Sequence, residues 1–496
     1  MKRLPNLVLI LSDDQGAWAL GCAANSEIQT PNLDRLAATG TRFSRFFCAS
    51  PVCSPARASL LTGHIPSRHG IHDWLRKGNM DEQGDHAIPY LLGLRGYTQL
   101  LARAGYVCAL SGKWHLGDSL RAQQGFTHWF AHQLGGGPYY NAPLIRNGTP
   151  YREPRYVTDV ITDDALEFLA EQRCREQPFY LSVHYTAPHS PWDPQQHPDD
   201  VLNLYADCPF LSCPDEPAHP WQINSAPRGT GEKRKEQLRG YYAAVTAMDR
   251  NVGRILDALE AMDRREETLI LFTSDNGMNM GHHGIFGKGN GTFPQNMYDT
   301  SVMVPAIFSR PGSCPAGVVV DGLYSHYDVF PTLLEYAGID FRDETLPGAS
   351  FAPLLRGEGM PGREDVVVCD EYGPVRMIRN RRWKYVHRFP CGPHELYDLA
   401  EDPGERHNLF AEKGAQSEIE RLKGRLDRFF LRYGDPGLDG AREPVYGVGQ
   451  VGLAGIRAGG APAFHSEFHY VDADGRPRPP GYRPEGLLPP PLAREG

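Results

Sequence analysis

The chain has no cysteine framework, no long apolar run and no excess of positive charge, and each absence removes a class of protein. Ten cysteines are scattered through 496 residues without tight, regular spacing, which excludes a disulfide-built scaffold and predicts mostly reduced, buried thiols. Near the N-terminus only five consecutive apolar residues, Leu7 to Leu11, precede Ser12-Asp13-Asp14. That run is too short for a secretory h-region or a membrane span. The expected location is the cytoplasm, or the periplasm or exterior where a leader has been removed, and no membrane partner is expected. A formal net charge of -9 argues against nucleic acid or a membrane surface as partner. It also requires that an anionic substrate be drawn in by a local basic pocket.

What is present is ordinary globular material, 41% hydrophobic and 22% charged, long enough to bury a large core and exceed one domain. Leu7–Leu11, Tyr106–Leu110, Pro178–Tyr185 and Thr268–Thr273 read as strands. They are continuously apolar rather than alternating, as strands buried on both faces of a parallel sheet must be. Helical spacing runs through 155–173 and 231–264, giving an α/β chain. Polar residues follow the strands: Asp13-Asp14, Lys113 and His115, His189 between two prolines, and Asp275-Asn276. In open α/β sheets ligands collect at the carboxyl ends of strands. There the carboxylates and the amide suit a hard cation. Read singly, an Asp-Asp pair or Asp-Asn-Gly more often serves a turn than a metal. His184 falls within its strand and reads as a core histidine.

The stretch Cys53-Ser54-Pro55-Ala56-Arg57-Ala58-Ser59-Leu60-Leu61-Thr62-Gly63 predicts a short helix that starts at Ser54-Pro55 and stops at glycine. Cys53 then stands at the positive helix end, and Arg57, one turn on, can return its cation to the same spot. A structural thiol beside a surface arginine has the same local signature.

Cys-x-Pro-x-Arg followed by Leu-x-x-Gly resembles the signature of the sulfatases, formylglycine-dependent members of the alkaline phosphatase superfamily. Gly112-Lys113-Trp114-His115-Leu116-Gly117, Ala187-Pro188-His189-Ser190-Pro191 and Asp275-Asn276-Gly277 resemble further motifs of that family, in family order. The resemblance implies a large, mixed, mostly parallel sheet between helices with a smaller C-terminal antiparallel sheet and helix. Implied boundaries are 1–362 for the catalytic part, 363–435 for the C-terminal part and 436–496 for a Gly/Pro-rich tail, either draped over the body or used in homo-oligomer contacts. It implies hydrolysis of a sulfate monoester by the aldehyde hydrate of a Cys53 matured to formylglycine by a partner enzyme. Ca²⁺, with Mg²⁺ as alternative, would be held by Asp13, Asp14, Cys53, Asp275 and Asn276. Lys113 and Lys288 would bind the sulfate, with His189 as proton donor to the leaving alcohol. His115 would take the proton of the hydroxyl remaining after sulfate transfer, releasing sulfate and restoring the aldehyde, and Arg57 would position the nucleophile.

Ala56 replaces the serine common before the arginine, and Asp299 and Met303 replace a glutamate and a basic residue that in the family support the fold. Polar and aromatic loops at 69–79, 135–140 and 192–221 favour a sulfated carbohydrate, with aryl or choline sulfates and phosphate or phosphonate esters as the alternatives. The 69–79 stretch reads equally well as a solvated loop.

Overall fold

The computed structural model describes residues 4–79, 87–371, 374–442 and 449–464, and the backbone of 470–471 and 477–478; most of the tail past 464 therefore lies outside the described residues. The strands are β1 Asn6–Ser12, β2 Thr41–Phe47, β3 Val107–Lys113, β4 His128–His132, β5 Ala142–Arg146, β6 Thr149–Glu153, β7 Phe179–His184, β8 Thr268–Ser274, β9 Asn279–Met280, β10 Phe286–Gly287, β11 Met303–Val304, β12 Ala306–Ser309, β13 Val318–Ser325, β14 Val366–Asp370, β15 Val375–Arg379, β16 Trp383–Arg388 and β17 Glu395–Asp398. An eleven-stranded sheet runs β11-β2-β12-β8-β1-β7-β3-β4-β5-β6, with β13 alongside β2. Its centre, β8-β1-β7-β3-β4, is parallel throughout, and antiparallel pairs flank it. Among the described residues the short β9 and β10 pair only with each other.

Every residue of β1 and β8 is buried, because both sheet faces are covered. The two-residue side-chain period divides β1 between two cores. Leu7, Leu9 and Leu11 join the core that includes Leu60 and Leu61 of the helix Cys53–Thr62. Val8 and Ile10 join the core on the other face, with Val160, Ile161, Met248 and Ile255 from the helices Val157–Gln172 and Gly231–Ala261. Asp249, within the second of these, accepts the N–H groups of Asn32 and Leu33 and so holds the start of the helix Pro31–Ala38.

Strands β14-β15-β16-β17 make a separate antiparallel sheet, against which the helix Gln416–Tyr433 buries Ile419, Leu422, Leu426 and Phe430. Asp299 joins the two sheets: its carboxylate takes Lys384 Nζ at 3.0 Å and Arg379 Nη2 at 3.2 Å. The acid that departs from the family pattern thus has a supporting contact of its own. All ten cysteines are free, and six of them are buried. Among the described residues no helix is long and apolar enough to cross a membrane.

Candidate active site

Because β8, β1, β7 and β3 are parallel and in close register, with Ser12 beside Ser274 and both Leu11 and Gly112 beside His184, their carboxyl ends open along one edge. Asp275 and Asn276, Asp13 and Asp14, His189, and Lys113 and His115 all leave the sheet there. Asp14 and His115 sit at φ 62° and 54°, a left-handed backbone that non-glycine residues adopt at a cost and that concentrates at functional sites.

The helix Cys53–Thr62 points its N-terminus at this edge. Cys53 is its first residue and Val52 its cap, so the helix begins one residue earlier than Ser54-Pro55 suggests; Gly63 ends it at φ 72°. Lys288 Nζ lies 3.6 Å from Cys53 Sγ. Burial pushes the Cys53 thiol up, which leaves an unmodified thiol poorly ionised. Arg57 returns one turn on, as the spacing predicts. Its Nε donates to Asp275 Oδ2 at 2.9 Å and its Nη1 to the Lys113 carbonyl at 3.1 Å.

Three carboxylates and three cations interlock here. Lys113 Nζ is 2.5 Å from Asp13 Oδ2 and Lys288 Nζ 2.5 Å from Asp14 Oδ1. Asp275 Oδ1 accepts the backbone N–H groups of Asp14 at 3.1 Å and Asn276 at 2.9 Å. Burial, then the Asp275 carboxylate, pushes Asp13 up to about 8 against the pull of Lys113. Burial would also raise Asp275, but Arg57, Lys113 and Lys288 outweigh it and hold that carboxyl below the usual range.

One oxygen each of Asp13, Asp14 and Asp275 lies within 4.8 Å of the others. Asp13 Oδ1 and Asn276 Oδ1 are buried with no hydrogen-bond partner among the described residues, an arrangement that costs free energy unless something else satisfies them. An all-oxygen donor set with crowded negative charge fits Ca²⁺ or Mg²⁺ and does not suit a thiophilic metal.

Two histidines complete the edge. His189 Nδ1 lies 2.7 Å from the Ser190 carbonyl, and its Nε2 is 3.7 Å from Asp14 Oδ2. His115 Nε2 lies 3.0 Å from the Leu75 carbonyl, whereas its Nδ1 is buried with no hydrogen-bond partner among the described residues. His184 is a core histidine, bonded to Ser182 Oγ and to the Lys113 carbonyl. All the residues singled out along the chain are thus brought together.

The loop readings need correction. His69, His72, Asp73 and Asn79 are buried, so the 69–79 stretch is not a solvated loop. The 135–140 loop does more than face solvent: a Cβ on Gly135 would fall 2.1 Å from the His115 ring, and one on Gly136 would fall 2.9 Å from that of His189. The Gly-Gly-Gly run was the available signal, because only backbone without side chains can cross two imidazoles so closely. Part of the 192–221 stretch braces the Lys288 segment, with His219 N–H on the Gly284 carbonyl and Phe293 N–H on the Trp221 carbonyl.

The family pattern described as Sulfatase matches residues 5–339, and the one described as N-sulphoglucosamine sulphohydrolase, C-terminal, matches residues 281–431. The chain is 28% identical to the N-acetylglucosamine-6-O-sulfatase of Bacteroides thetaiotaomicron, with 87% of both chains covered. It is 30% identical to the choline-sulfatase of Rhizobium meliloti, with 82% of both covered. A solved structure of a protein in complex with its substrate D-glucosamine-2-N,6-O-disulfate superposes with a TM-score of 0.74 at 26% identity, covering 89% of this chain and 100% of that one.

Proposed function

The chain belongs to the sulfatase family and is a sulfuric ester hydrolase, and on that premise we propose that it releases inorganic sulfate from a sulfated hexosamine-type carbohydrate. The nucleophile would come from Cys53 matured to formylglycine, and Asp13, Asp14, Asp275 and Asn276 would hold Ca²⁺ or Mg²⁺. One observation carries the reading: Cys53 Sγ at a helix N-terminus, 3.6 Å from a lysine that also grips one of three clustered aspartates. The carbohydrate preference rests on the similarity to a glucosamine sulfatase and to a structure holding a sulfated glucosamine.

The aldehyde hydrate would supply an oxygen nucleophile with a second hydroxyl, and the divalent cation Lewis acidity toward a sulfate oxygen. The chain's own groups account for the rest. Lys113 and Lys288 each carry three N–H donors, so an ammonium engaged with its aspartate still has protons for the equatorial sulfate oxygens, where charge builds in the transition state. His189 with Nδ1–H held by the Ser190 carbonyl turns Nε2 into the pocket. Burial holds this imidazole down at about 4, against the Asp14 carboxylate, and an arriving anionic sulfate favours its charged form, which then protonates the leaving alcohol. His115 with Nε2–H given to the Leu75 carbonyl leaves Nδ1 as an acceptor. That nitrogen is the base for the second hydroxyl as sulfate departs.

Release of sulfate from glucosamine 6-sulfate, galactosamine 6-sulfate, choline sulfate and aryl sulfate, measured beside phosphate and phosphonate monoesters of the same aryl alcohol, tests the reading. The highest kcat/KM is expected on a hexosamine sulfate; a preference for choline sulfate removes the sugar assignment, and one for the phosphonate removes the sulfatase chemistry. A second result is expected from Gly135→Ala. Its Cβ would push the His115 ring off its Leu75 contact, so kcat should fall about tenfold to a hundredfold with the melting temperature little changed.

A further inference from the structure

We propose that Gln450, from the C-terminal segment, is a positioning residue for the hydrolysis, acting through the 70–76 loop on His115 and on the helix turn that carries Cys53. The inference rests on His115 serving as the base in the reaction above.

Gln450 is fully buried and lies against Leu75 in a parallel bridge. Its backbone brackets that residue: Gln450 N–H donates to the Trp74 carbonyl at 2.8 Å, and Arg76 N–H donates to the Gln450 carbonyl at 2.9 Å. Its side chain binds the rest of the loop. Oε1 accepts His72 N–H at 2.8 Å and Asp73 N–H at 3.4 Å, while Nε2 donates to the Gly70 carbonyl at 3.0 Å. Around this centre, Gly449 N–H donates to Asp73 Oδ2 at 3.0 Å and Arg457 Nη2 to the His69 carbonyl at 2.6 Å.

With its neighbours held on both sides, Leu75 is free to use its own two polar groups inward. Its carbonyl receives His115 Nε2 at 3.0 Å, and its N–H donates to Ser54 Oγ at 3.1 Å. Ser54 is the residue after the nucleophile position, and the Leu75 carbonyl sets which His115 nitrogen carries the proton. Buried irregular backbone has no ladder to satisfy its N–H and C=O groups and needs partners from elsewhere. Here one glutamine, more than 370 residues away in sequence, supplies partners for Gly70, His72, Asp73, Trp74 and Arg76. Asn79 Nδ2 also donates to the Leu75 carbonyl at 2.6 Å, but without the Gln450 side-chain bonds to Gly70, His72 and Asp73 the loop that carries this carbonyl is loosened, and a shift of about 1 Å in a catalytic group costs roughly a hundredfold in rate.

The test uses the full, matured chain with Gln450→Leu, which keeps the bulk and removes the side-chain bonds. Turnover per formylglycine is expected to fall about tenfold or more, with KM within about twofold of the parent. Hydrogen exchange at the amides of 72–76 is expected to quicken about tenfold while that of the helix Val157–Gln172 stays unchanged. Unaltered turnover overturns the proposal, as does lowered turnover with unaltered exchange at 72–76, or faster exchange throughout the body. Should Gln450→Leu fail to fold, Arg457→Ala takes its place, with smaller changes of the same kind expected and the same outcomes overturning. The exchange comparison needs no turnover, so a parent enzyme inactive on every sulfate ester would sink the proposed reaction and still leave the loop contact measured.

Discussion

Cys53→Ala is expected to reduce sulfate release by about four orders of magnitude or more, since a nucleophile's removal leaves only binding and charge stabilisation by the remaining groups. The fold should survive. Cys53 Sγ is buried, but its single polar contact among the described residues is a 3.6 Å approach from Lys288, and the loss of one sulfur from a well-packed site costs about 1 kcal/mol. Steady-state rates, the melting curve and mass spectrometry of the Cys53 peptide in the parent check the three parts together. Hydrolysis undiminished in the alanine variant would falsify the mechanism. Loss of activity together with a parent peptide that carries an unmodified thiol would instead point to a thiol-dependent reaction.

Asp275→Ala is expected to abolish activity and, unlike Cys53→Ala, to destabilise the chain strongly. Asp275 is buried, accepts the Asp14 and Asn276 N–H groups and pairs with Arg57, itself 2% exposed. Its removal takes the closest carboxylate from a buried guanidinium, which keeps its bond to the Lys113 carbonyl, and the acceptor from two amides, and breaking a buried pair from one side costs about 3–5 kcal/mol. Part is offset, because the same carboxylate helps to push Asp13 up and its loss eases the crowding of negative charge. The comparison that separates these effects is a double-mutant cycle with Arg57→Ala, by denaturant unfolding with chelator present. The double variant is expected to lose clearly less stability than the two single losses added together. Strict additivity would show that the Arg57–Asp275 pair is not coupled.

Much of this site is legible along the chain. Strongly apolar runs mark strands buried on both faces, and the polar residues that end them lie at the carboxyl edge as the parallel arrangement requires. The four-residue step from Cys53 to Arg57 is one helical turn, so their sharing one face of the helix follows from local geometry. His184 reads as a core residue from its place inside a strand, and its two hydrogen bonds agree.

The loops read less well, for one physical reason. His69, His72 and Asp73 have the composition of a solvated loop, and nothing nearby in sequence says otherwise. They are covered because a segment near residue 450 supplies matching donors and acceptors. The 135–140 loop likewise reads as polar and aromatic surface for a sugar until the imidazoles of His115 and His189 are seen against Gly135 and Gly136. Residue chemistry, strand and helix periodicity, and the order of the motifs are properties of short stretches and can be read in one dimension. Which carboxylate meets which lysine, which nitrogen of His115 is left open, and what covers the 70–76 loop depend on contacts between residues tens to hundreds of positions apart. Those contacts exist only once the sheet has brought its strand ends to a common edge and the C-terminal segment has closed over them.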